Sequence, residues 1–126
     1  MEKQQSGKIK LYFMTSEIEA KRIQEHGFIN RFESASQMVG LPLKFEGELF
    51  YDRPMDPKEF QRQFGLKGDA IFVVDFDYEE IKKYDKSLYF KPLSPRSFKE
   101  WHIPEKIANK HFRDKNIYAW KDFQNR

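Results

Sequence analysis

The chain has 126 residues, 39% hydrophobic and 34% charged, with a formal net charge of +3. That is the length of one domain, enough for one core and too short for two. The absence of cysteine excludes disulfides, thiol catalysis and cysteine-ligated zinc, and thirteen Phe with six Tyr imply a largely aromatic core.

Residues 1–8 are polar, with no apolar run behind them, and read as a disordered leader rather than a signal peptide. Residues 9–126 read as a single domain. The longest apolar run, Ala70-Ile-Phe-Val-Val74, is strand-sized and far short of the ~20 residues of a membrane span. A cytoplasmic protein without a membrane partner is expected. Only the tail from Lys106 leans basic, and its plainer reading is a solvated face.

The first strand is Ile9-Lys-Leu-Tyr-Phe-Met14, with Leu11, Phe13 and Thr15 on one face and Tyr12 and Met14 on the other. Thr15 or Ser16 then caps a helix whose first turn holds Glu17 and Glu19. Ile18, Ala20 and Ile23 supply its apolar face, and Gly27 stops it. Residues 30–40 read as a loop, and residues 41–51 as a strand or hairpin around Gly47. Asp56 caps a short helix that begins at Pro57 and ends at Phe64, before Gly65. Residues 69–76 form the clearest strand, with an interior position. Residues 78–84 give one or two helical turns, and residues 88–90 a short strand. Residues 97–103 alternate, with Phe98, Glu100 and His102 on one face and Lys99, Trp101 and Ile103 on the other. Pro104 opens a helix to about Lys110, and residues 116–120 form the last strand. Strands and helices follow no βαβ rhythm, so an α+β class is expected. The expected core is Leu11, Ile23, Phe28, Ile71, Val73, Trp101, Ile103 and Ile117.

No phosphate-binding loop, dinucleotide fingerprint, zinc-helix motif or nucleophile elbow occurs. His26, His102 and His111 are scattered, and their spacing points to no metal.

One ordered set of segments stands out. It runs from Leu11-Tyr-Phe-Met-Thr-Ser16 to the helix stop Gly27-Phe28, then Gly47-Glu-Leu-Phe-Tyr-Asp-Arg-Pro-Met-Asp56 and Gly68-Asp-Ala-Ile-Phe-Val-Val74. It ends with Lys99-Glu-Trp-His-Ile-Pro-Glu-Lys-Ile-Ala-Asn109. This order resembles the ADP-ribosyltransferase-like superfamily, which includes DNA-targeting toxins and RNA 2′-phosphotransferases. The likeness spans residues 9–118 and lies in the order of the pieces.

The resemblance implies a mixed, mainly antiparallel α+β domain with two small sheets facing across a cleft. It implies NAD as substrate, no metal, and a nucleic-acid or protein acceptor. Glu100 matches the late catalytic carboxylate, which stabilises the positive charge that develops as the glycosidic bond breaks. Phe13 and Thr15 match the opening strand that holds the nicotinamide-side ribose, and the three residues are expected around one pocket. Phe13 stands where the family has a His and cannot bond a ribose hydroxyl. The alternative is therefore a non-catalytic nucleotide- or partner-binding domain of the same fold. Arg53 is a candidate phosphate contact, although Asp52-Arg-Pro54 also reads as plain turn chemistry. Trp101 and Trp120 can stack on a base, but their apolar neighbours favour the core.

Overall fold

The computed structural model describes residues 7–29, 32–34, 44–85, 99–112 and 116–124. Its strands are β1 (Lys8–Thr15), β2 (Phe32–Ser34), β3 (Lys44–Glu46), β4 (Glu48–Tyr51), β5 (Ala70–Asp77), β6 (Glu100–Ile103) and β7 (Ile117–Ala119). Its helices are α1 (Glu17–His26), α2 (Pro57–Phe64), α3 (Tyr78–Ile81), α4 (Glu105–His111) and α5 (Trp120–Gln124). Five strands form one sheet in the order β6-β4-β1-β5-β7, and every pairing in it is antiparallel. The class is therefore α+β. β2 and β3 pair separately as a two-stranded ribbon. The described residues do not show two comparable sheets facing across a cleft.

Alternation in the strands divides the side chains between two covered faces. Leu11, Phe13, Phe50, Phe72, Val74, Phe76, Trp101 and Ile103 point to the first face. There they pack with Ala20 and Ile23 of α1, Ile81 of α3 and Ala108 of α4. Met14, Tyr51 and Ile71 point to the second face, against Phe60 of α2 and Trp120 and Phe123 of α5. Phe13 meets Phe28, Phe50 and Phe72 at ring separations of 5.3, 5.4 and 5.8 Å. Such aromatic pairs add roughly 0.5–1.5 kcal/mol each beyond their buried area.

The helix ends follow the local signals. Ser16 Oγ accepts the Glu19 N–H at 3.1 Å, and Gly27 closes α1 by donating its N–H to the Ile23 carbonyl at 2.6 Å. Asp56 Oδ1 accepts the Lys58 N–H at 2.8 Å, Pro57 opens α2, and left-handed Gly65 ends it. Seven of the eight expected core residues are buried, and Ile117 is half-buried against the same core.

Four local expectations are corrected. Ile18 is 86% exposed; it lies about 200° around the helix from Ala20, whereas Ala20 and Ile23 share a face. The segment around Gly47 is no hairpin, because β3 pairs with β2 while β4 pairs with β1 and β6. Part of the expected loop at 30–40 is strand β2, whose three residues carry no readable alternation. Residues 120–124 form α5, too short a segment to show helical period. The short strand expected at 88–90, and Phe98, lie outside the described residues.

Candidate functional site

β1 meets β5 in eight residue pairs, from Lys8–Asp77 to Thr15–Ala70, but meets β4 at the single pair Tyr12–Tyr51. Beyond that pair the seam between β1 and β4 opens toward Thr15 and Glu48. A pocket of about 360 Å³ occupies the opening. Its apolar wall includes Phe13, Met14, Leu49, Tyr51, Phe60 and Leu66. Thr15, Ser16, Glu19, Glu48 and Lys67 supply its polar groups.

The acidic side of this pocket is held in place. Glu48 is only 3% exposed, on a strand position shared with the inward-facing Phe50 and paired with Ile103. Glu19 is fixed in the first turn of α1, where its Oε2 accepts two hydrogen bonds from the Arg22 guanidinium, through Nε at 2.8 Å and through Nη2. The Arg22 pKa is raised, chiefly by that hydrogen bond to Glu19 against a burial penalty, with the charges of Glu19 and Glu48 adding to it. Glu19 therefore has its counter-charge on its own helix, and the same Arg22 guanidinium also feels the charge of Glu48. Lys67 lies at the exposed rim.

Phe13 and Thr15 line this pocket; Glu100 and Arg53 do not. The register explains why. Tyr12 pairs with Tyr51, and Tyr51 with Glu100, so these three share the second face; Tyr51 reaches the pocket, but Glu100 stands on β6, three residues from Ile103, the partner of Glu48, and so at the other end of β4. Thr15 lies three residues along β1 from Tyr12 and points to the first face, with Phe13 and Glu48. The expected grouping of Thr15 with Glu100 in one pocket is corrected accordingly. Arg53 is exposed in the turn after β4. Its neighbour Asp52 ties that turn to the start of β6. The Asp52 N–H donates to the Lys99 carbonyl, and Asp52 Oδ1 accepts the Lys99 N–H, both at 3.1 Å. Trp101 is buried on the first face, and Trp120 stacks on Phe123 on the second with ring centroids 5.6 Å apart. Both are packing residues.

Sequence reasoning missed Glu48 as a site residue. The signal was present, because Glu48 and Phe50 are two apart on one strand, which puts a carboxylate on a core-facing row.

A second group of polar side chains lies at the far end of β5. Asp77, Glu80 and His111 each place one ligand-type atom within 4.8 Å of the others. His111 Nε2 is 2.8 Å from Glu80 Oε1, and the His111 ring stands edge-on to Phe76 at 5.5 Å. Lys110 Nζ donates to Glu80 Oε2 at 2.9 Å, and Lys8 Nζ to Asp77 Oδ1 at 2.6 Å. The Lys110 hydrogen bond first, and His111 next, hold the Glu80 carboxyl below its usual value. Lys8 does the same for Asp77.

No family model, no curated protein and no solved structure matches this chain. Among the described residues no helix is long and apolar enough to cross a membrane. The pocket itself is therefore the guide to the chemistry. None of its lining residues is a His or Cys, and Ser16 Oγ already serves as the cap of α1. The arrangement combines an apolar wall with two carboxylates and a lysine. It is suited to holding a ligand with an apolar body and a cationic or hydroxyl-rich end.

Proposed function

We propose that this domain is a non-catalytic binding module whose β1–β4 pocket takes a nucleoside-sized molecule, with its apolar ring against Phe13 and Tyr51 and its donor-bearing or cationic end at Glu48. One observation carries the reading: Phe13, Thr15 and the buried Glu48 line one pocket, while Glu100, on β6 at the other end of β4, does not line it. A pocket of about 360 Å³ lies in the range of small-molecule sites. The test is thermal unfolding with NAD, adenosine, nicotinamide and 1-methylnicotinamide. A ligand at a hundred times its dissociation constant adds about 2.7 kcal/mol. Stabilisation by at least one of them, abolished by Leu49→Trp, supports the module. Stabilisation by none of the four removes the reading.

A second reading, ADP-ribosyl transfer from NAD to a nucleic-acid or protein acceptor, is favoured by the same placement of Thr15 beside a buried carboxylate. A fixed negative charge stabilises an oxocarbenium-like state, and in this pocket that charge belongs to Glu48. Release of nicotinamide from NAD by the wild-type chain, lost in Glu48→Gln, would establish it over the binding module. Loss in Glu100→Gln with full activity in Glu48→Gln would restore the assignment drawn from the resemblance.

A further inference from the structure

We propose that Asp77, Glu80 and His111 form a site for a divalent transition metal, with zinc(II) as the ion that best fits the donors. The site is remote in the chain from the β1–β4 pocket and does not depend on its function. One imidazole nitrogen and two carboxylates make a borderline donor set of the kind zinc takes, with water completing the coordination. The three donors come from the end of β5, from α3 and from the last residue of α4, so the fold assembles them rather than a local run of acids.

The geometry needs little change. The donor atoms lie within 4.8 Å of one another, with His111 Nε2 and Glu80 Oε1 2.8 Å apart, and zinc bonds of about 2.0–2.2 Å set donors roughly 3.4 Å apart, so Asp77 draws in while that pair widens slightly. Rotation of the Asp77 and Glu80 side chains is enough for that. The His111 ring does not have to search for its position. Its side chain is 14% exposed, it rests on the edge of Phe76, and Nε2 already faces Glu80 Oε1. A metal would take the place of the contact between those two atoms.

The two lysines are the competitors. Lys8 and Lys110 have side chains 67% and 61% exposed, and exposed ion pairs of this kind contribute about 0–1 kcal/mol each. A divalent ion that bonds three donors at once outweighs them. Lys110 can also remain on Glu80 Oε2 while Oε1 turns to the metal.

The experiment is titration of the full chain with zinc chloride by calorimetry, and with cobalt(II) by visible absorption. The expected result is one ion per chain and the intense d–d bands of a four- or five-coordinate cobalt site. Asp77→Asn and His111→Gln should each weaken binding by at least about tenfold. Asp77 is half-exposed at a strand end, so Asp77→Asn keeps the fold even where His111→Gln loosens α4. Absence of binding at about 1 mM metal would overturn the proposal. So would binding that Asp77→Asn and His111→Gln both leave unchanged, which would place the ion at another histidine.

Discussion

Asn109 grips the main chain of Phe28 at both of its polar groups. Asn109 Oδ1 accepts the Phe28 N–H at 2.7 Å, and Asn109 Nδ2 donates to the Phe28 carbonyl at 3.1 Å, across 81 residues of sequence. The bond pair pins the chain just past the end of α1, where Phe28 enters the aromatic cluster at 1% exposure. Asn109→Ala leaves both backbone groups without this partner and should cost about 1–3 kcal/mol. The expected reading is a lower urea midpoint with an unchanged slope. An unchanged midpoint would mean that water replaces the clamp without loss.

Gly47 and Gly65 both have positive φ, at 119° and 70°, but only one is crowded. A Cβ on Gly47 would lie 1.9 Å from the Ile103 carbonyl oxygen, whereas nothing lies within 4 Å of one on Gly65. Gly65→Ala should therefore cost about 1–2 kcal/mol, from backbone conformation alone. Gly47→Ala adds a clash with β6 to the backbone strain and should cost roughly 3–5 kcal/mol. Equal losses in the two variants would show that β6 moves away without penalty.

On α1, Ile18 and Ile23 test which face is buried. Ile18→Lys, at a position 86% exposed, should change stability by no more than about 0.5 kcal/mol. Ile23→Ala, at a position fully inside the first-face core, should cost about 2–5 kcal/mol. Thermal melts of the two variants decide the matter, and a large effect at Ile18 would place a partner on that helix.

Within each element the sequence was readable, because the signals are local. Asp56, Pro57 and Gly65 delimit α2, and alternation separates Leu11 and Phe13 from Tyr12 and Met14, and Trp101 and Ile103 from Glu100 and His102. What alternation cannot give is the phase of one strand relative to another. Thr15 and Glu100 are related only through β4, by the pairs Tyr12–Tyr51 and Tyr51–Glu100, and a shift of one residue in either would exchange the faces. The cluster at Asp77 was hidden for a similar reason: Glu80 and His111 are 31 residues apart and meet only because α3 and α4 both pack on the first face. Glu48 was legible in kind, as a carboxylate on an inward row, but its pocket depends on the opening of the β1–β4 seam, which is again a matter of register.

The β1–β4 pocket should select for positive charge, and Glu48 should be the cause. Two unit charges about 4 Å apart interact by about 4 kcal/mol at the effective dielectric of a protein surface, and desolvation of the ligand takes back part of that. A net preference of at least about tenfold for a cation over its neutral isostere is expected. 1-Methylnicotinamide and nicotinamide form such a pair, alike in ring and amide and different in charge. Calorimetric dissociation constants for both give a ratio in which shared packing against Phe13 and Tyr51 cancels. Glu48→Gln keeps the size of the side chain and removes the charge, so the ratio should fall to near one. Glu100→Gln should leave the ratio as in the wild type, because that side chain is on β6 at the other end of β4 and does not line the pocket. A preference that survives Glu48→Gln and disappears in Glu100→Gln would place the ligand beside Glu100 and remove the pocket from the account of this protein's function.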